Sequence, residues 1–186
     1  MGRREIADGF WSLPPWADDT TLTVVVETPK GSRNKFAFDP NRGVFVLKKV
    51  LPAGMSFPYD FGFVPSTAAG DGDPIDVLVL MDQSAFPGCV LECRLIGVIE
   101  GEKRGGGKRE RNDRLIAVET HTESFDAVKS LKDLGKHFVS ELEAFFENYH
   151  ELSDHQYRVL AARGPKVARA HVVEAINKCK TSTKPG

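Results

Sequence analysis

The chain has 186 residues, 41% hydrophobic and 27% charged, an ordinary globular balance that excludes a disordered or fibrous chain and suits one sizeable core. With 25 Lys and Arg against 26 Asp and Glu, the formal net charge is -1, which argues against attachment to nucleic acid or an anionic membrane by bulk charge. Cys89, Cys93 and Cys179 are too few for a disulfide framework and lack paired zinc-ligand spacing, so reduced, apolar side chains are expected.

Residues 1–20 hold Pro14, Pro15 and scattered charges without a period and read as an N-terminal arm. They lack the apolar stretch of a signal peptide, and Ile6 breaks the myristoylation pattern that Gly2 would open. Apolar runs further on stay far below the roughly 18 residues of a spanning helix. A cytoplasmic protein that meets neither membrane nor nucleic acid is expected. From 22 to 119, short β-branched and aromatic runs at 22–26, 36–38, 44–50, 77–81, 90–98 and 115–118 are the strand candidates. Turn chemistry separates them at Pro29–Ser32, Asp39–Gly43, Pro52–Gly54 and Pro87-Gly88. Such spacing favours an antiparallel barrel or sandwich over alternating βαβ units.

The remainder reads as helical. Between Ser130 and His150, Leu131, Leu134, Phe138, Leu142, Phe145, Phe146 and Tyr149 recur at steps of three and four, one apolar stripe. Ser130 with Asp133 resembles a capping box. A second helix opens at Gly164-Pro165, with Ala168, Val172, Ala175, Ile176 and Cys179 as its buried face. The tail 181–186 is expected to fray. The organisation is one α+β domain over residues 21–180.

The densest chemical signal is Gly70-Asp71-Gly72-Asp73-Pro74-Ile75-Asp76, leading into the apolar run 77–81. Three aspartates this close repel one another unless cations neutralise them. Their hard oxygens suit Mg²⁺ or Mn²⁺, and no imidazole or thiolate beside them invites zinc. An Asp/Gly/Pro surface turn is the alternative, and it accounts for one or two acids rather than three. Divalent ions held without histidine suggest phosphate chemistry, in which they neutralise phosphoryl oxygens and acidify a water. Cations to clamp the anion are available at Lys30, Arg33, Lys35, Lys48, Lys49 and Arg114.

The run DGDPIDVLVL resembles the signature of the family I soluble inorganic pyrophosphatases, D-x-D-P-x-D followed by an apolar strand. VVVETPKGSRNKFAFDP, FPYDFGFVPST, PGCVLECRLIGVIE, NDRLIAV and FFENYHEL resemble further family segments, in order, across most of the chain. The resemblance implies a small closed antiparallel β-barrel (OB-like) with two packed C-terminal helices, assembled as a homo-oligomer, acting on pyrophosphate with Mg²⁺ or Mn²⁺. It implies Asp71 and Asp76 as metal ligands and Asp73 as the carboxylate that orients and deprotonates the attacking water. Glu27, Lys35, Lys49, Arg114 and Tyr149 fall on substrate-site positions, with Lys49 replacing an arginine and Arg114 a lysine.

The chain departs from the pattern at several points. Ala37 stands for a glutamate that helps hold the outermost metal, Phe61 for a tyrosine, and His150 for a lysine. Asn112 aligns with a metal-binding aspartate and Asp113 is one step off, so both are carried as metal candidates. A further family aspartate falls in residues 100–111, where Glu100, Glu102 and Glu110 are the candidate substitutes. Losing one ligand or donor costs two to three decades in rate (about 3–4 kcal/mol), so slowed hydrolysis or an altered metal requirement is expected. The competing readings are hydrolysis of a nucleotide or organic diphosphate, and a noncatalytic phosphate-binding protein. The basic stretch 103–114, with interspersed acids and no aromatics, reads as a hairpin loop over an anionic substrate rather than a nucleic-acid surface. The histidines offer no metal pair.

Overall fold

The structure is a computed structural model that describes residues 9–151 and 156–182; the outermost arm residues, His155 and the last four residues of the expected tail lie outside them. Nine strands and two α-helices follow in the order β1 (Thr21–Thr28), β2 (Asn34–Asp39), β3 (Val44–Val50), β4 (Asp60–Phe63), β5 (Asp76–Leu80), β6 (Val90–Gly105), β7 (Lys108–Arg111), β8 (Arg114–Glu119), α1 (Gly135–Glu151), β9 (Gln156–Arg163) and α2 (Pro165–Ser182).

Strand pairing runs β1–β4–β5–β8–β6, and β6 pairs back to β1. The ring therefore closes, leaving no edge within it. Its joins are antiparallel except β5–β8, which run parallel with Val77 opposite Leu115. That one parallel join departs from the all-antiparallel expectation, and the long chain segment between β5 and β8, which includes the whole of β6, supplies the crossover it needs. Long β6 carries β7 and β9 on its outer half, and β2–β3 form a separate two-stranded hairpin.

Both faces of β5 and β8 are apolar because two cores meet there. Val77, Val79, Leu115 and Ala117 pack with Ala168 and Val172 of α2. Leu78, Leu80, Ile116 and Val118 pack with Leu142 and Phe146 of α1. A third cluster, Val25, Phe38 and Phe63, is covered by Phe10, Trp11 and Leu13, so the described part of the arm lies back against the ring. Cys93 is buried and Cys89 and Cys179 are partly buried. No helix among the described residues is long and apolar enough to cross a membrane.

Three strands were absent from the sequence reading. β4 has four residues, too few to display a period, and β7 is wholly charged. β9 interrupts the region read as helical because β6 offers it an edge to pair with. The helical stripe also starts later than expected: residues 131–134 form a 3-10 turn, Gly135 adopts φ 78, and α1 begins there. Asp133 still closes that turn, its Oδ2 accepting the Ser130 N–H at 2.8 Å.

Candidate active site

The acidic loop enters β5 through a tight turn. Ala69 N–H donates to the Asp73 carbonyl at 2.7 Å, and Gly72 N–H to the Ala69 carbonyl at 3.3 Å. Gly72 takes φ 91, a conformation that favours glycine. Asp71 Oδ1 accepts the Asp73 N–H at 3.1 Å, which ties the Asp71 carboxylate to the backbone of the turn. Asp76, the first residue of β5, meets Arg114, the first of β8, with Nη1 to Oδ2 at 3.2 Å. The parallel β5–β8 join makes this contact, since it sets the two strand starts side by side.

All three aspartates line a cavity of about 250 Å³ whose other walls include Lys35, Arg114, Asn112, Asp113 and Tyr149. A second cavity of about 440 Å³ shares Lys35, Asp73 and Asp76 and adds Glu27, Ala37 and Lys48. Burial first, then Asp71 and Asp76, push the Asp73 carboxyl above the usual carboxylate range. Glu27 is pushed up to about 7, chiefly by burial, with Asp76 adding to it and the Phe38 N–H it accepts opposing.

Aromatic rings position the cations. Lys35 Nζ lies 5.4 Å from the ring centres of both Phe61 and Tyr149, and Lys49 Nζ 4.8 Å from Tyr149. Burial lowers the Lys35 pKa, but Tyr149 and Asp76 outweigh it and the net shift is upward. Phe61, lacking a hydroxyl, thus supports the site through its ring face. Lys49 and Lys48 both reach this end of the hairpin because the β2–β3 register slips between Lys35 and Phe36. Arg114, only 5% exposed, lies over Phe146 and Tyr157. His150 stacks on Tyr157 at 4.7 Å and sits 3.5 Å from Arg114, so it is packed into the cavity wall.

Asp113 lines the cavity, yet its oxygens are already engaged. Oδ1 accepts the Gly101 N–H at 2.9 Å and meets Arg111 at 2.9 Å, while Oδ2 faces His171 at 3.2 Å. Burial opposes these partners and they prevail, lowering its pKa. Asn112 differs: its Oδ1 is buried without a hydrogen-bond partner.

A family model described as inorganic pyrophosphatase matches residues 24–180. The protein named inorganic pyrophosphatase of Geobacillus stearothermophilus is 38% identical over 86% of this chain and 94% of its own length, and that of Synechocystis is 36% identical over 86% and 92%. The crystal structure of the Thermus thermophilus inorganic pyrophosphatase superposes with a TM-score of 0.85 at 32% identity, covering 92% of this chain and 99% of that one. The chain belongs to the inorganic pyrophosphatase family.

The donor set fits the hard divalent ion that a pyrophosphatase site needs. Three mutually repelling carboxylates face one cavity, and the orphaned Asn112 Oδ1 offers a neutral oxygen without competing partners. Among the described residues no three of His, Cys, Asp and Glu are grouped to enclose an ion unaided. The carboxylates form a wall rather than a cage, which suits an ion that keeps waters and takes phosphate oxygens. Sequence reasoning offered Lys48 only as one of six candidate cations, Lys103 only as part of a basic hairpin loop, and His150 only as the replacement of a lysine, whereas all three line a cavity. The alternation of β6 could have singled out Lys103; Lys48 depended on a bulge that no local pattern announces.

Proposed function

We propose that this chain hydrolyses inorganic pyrophosphate to two orthophosphates, with Mg²⁺ as its ordinary ion and Mn²⁺ as a substitute. One observation carries the reading: Asp71, Asp73 and Asp76 line a single cavity together with Lys35, Arg114 and Tyr149. Divalent ions, when bound, neutralise phosphoryl oxygens and make water acidic enough to attack. Asp71, Asp76 and Asn112 would hold those ions, and Asp113 would join them by exchanging an existing partner. Asp73 takes the proton of the attacking water, a role its raised pKa favours. Lys35, Lys49, Arg114 and Tyr149 bind and orient the phosphates, and Glu27 closes the wall beside Asp73. We also place the protein in the cytoplasm as a homo-oligomer, which sedimentation tests.

Phosphate release from pyrophosphate with Mg²⁺ tests the activity. Asp73→Asn should lower it by about two to three decades with the melting temperature unchanged, and a retained rate would remove Asp73 from the mechanism. A second reading has one observation in its favour: uncharged Ala37 lines the 440 Å³ cavity next to Asp73, which leaves room for a substituent. Faster turnover of a substituted diphosphate than of pyrophosphate would select that reading.

A further inference from the structure

The β6–β8 segment, where a further carboxylate was expected, presents an ammonium to the cavity instead. Glu100 is held away from it by Arg111 at 3.5 Å, Arg163 at 3.2 Å and His171 at 3.2 Å. Glu102 pairs with Arg104 at 2.7 Å, and Glu110 is exposed on β7. None of the three lines the cavity, whereas Lys103 does. Alternation along β6 explains the difference: Glu102 and Arg104 share one face of the strand, and Lys103 points to the other.

The cations around Lys103 are committed. Arg111 is bound to Asp113 at 2.9 Å, Arg114 to Asp76 at 3.2 Å, and Lys35 lies against two aromatic rings. Among the described residues no ion pair or side-chain hydrogen bond engages Lys103, which is half-buried at the cavity. A long, flexible side chain with an uncommitted positive end therefore reaches toward the place where an anionic ligand would lie. Asp113 and Asp76, which line the same cavity, are already paired with Arg111 and Arg114, and Asn112 is neutral, so an additional cation would have to compete with those pairs.

We propose that Lys103 is a substrate-binding cation standing in for a divalent ion. Its ammonium neutralises a phosphoryl oxygen of the diphosphate directly, and the cavity holds one divalent ion fewer than a carboxylate at this position would permit. The argument is Coulombic: a carboxylate at 103 would attract a dication, and an ammonium repels one while attracting the polyanion. The proposal rests on the pyrophosphate reading of this cavity.

The test counts bound ions rather than turnover. Titration calorimetry would measure Mn²⁺ stoichiometry and the affinity for imidodiphosphate, a nonhydrolysable diphosphate, in wild type, Lys103→Met and Lys103→Asp. Lys103→Met should bind imidodiphosphate about tenfold more weakly at fixed Mn²⁺, with the same melting temperature. Lys103→Asp should bind one more Mn²⁺ per chain in the presence of imidodiphosphate. An unchanged ion count in Lys103→Asp, or an unchanged affinity in Lys103→Met, overturns the proposal. A wild-type chain that binds no imidodiphosphate at any Mn²⁺ concentration overturns the pyrophosphate reading itself, and the role of Lys103 with it.

Discussion

Glu27 is 8% exposed and shares a cavity with Asp73 and Asp76, so ionising it means placing a third negative charge in a poorly hydrated corner. Its folded pKa of about 7 lies above the ordinary 4.5. Below pH 4.5 the group is protonated folded or unfolded and contributes nothing. As pH rises from 4.5 through 7 the unfolded chain gives up its proton first, and stability falls by about 3 kcal/mol before levelling off. Metal-free wild type should therefore melt at a lower temperature at pH 8 than at pH 5. Glu27→Gln, which keeps an oxygen for the Phe38 N–H, should lose most of that difference. Equal decreases for the two proteins in a pH series of thermal melts would contradict the assignment. Added Mg²⁺ should shrink the wild-type decrease by favouring the ionised carboxylate.

Elements of the fold are fixed by close approaches that tolerate little change. Gly62 in β4 pairs with Val26 of β1, and a Cβ there would fall on the Val25 carbonyl. Gly62→Ala should cost a few kcal/mol, visible as a lower melting temperature and reduced yield of folded protein. Asp133 acts more gently, accepting the Ser130 and Lys129 N–H groups ahead of α1. Asp133→Ala should cost about 1 kcal/mol in denaturant unfolding and leave phosphate release within twofold, because α1 remains anchored by Leu142 and Phe146. The Asp71–Asp76 loop, the strand that follows it and the opening of α2 at Pro165 were legible locally, since each carries its own turn residue or period. β7 and β9 were not, because each depends on the edge that β6 offers: β7 is wholly charged, and the Tyr157–Val159–Ala161 alternation of β9 is masked in the sequence by apolar Leu160 and Ala162.

The molecule as a whole has a closed ring with apolar packing on both sides, to which the acidic loop contributes Ile75 and none of its three aspartates. Chelating divalent ions should therefore abolish phosphate release while near-ultraviolet circular dichroism stays unchanged. Mg²⁺ at 100 times its dissociation constant should add about 2.7 kcal/mol of stability by mass action, raising the melting temperature over that in chelator. Loss of the near-ultraviolet signal on chelation would mean instead that the ion holds the ring together.

The sequence alone determined the chemistry of the acidic loop, because three aspartates, two glycines and a proline within seven residues specify both a turn and a charge problem without help from the rest of the chain. It also indicated Lys35, Arg114 and Tyr149 through their resemblance to family segments. Tertiary structure decided which of these groups meet and which do not. The ring closure sets β8 beside β5 and so Arg114 beside Asp76, a register bulge delivers Lys48, and the alternation of β6 turns Lys103 rather than Glu102 toward the cavity. Those outcomes depend on strand pairing between residues far apart in the chain, and a local pattern of residues carries no information about its partner's register.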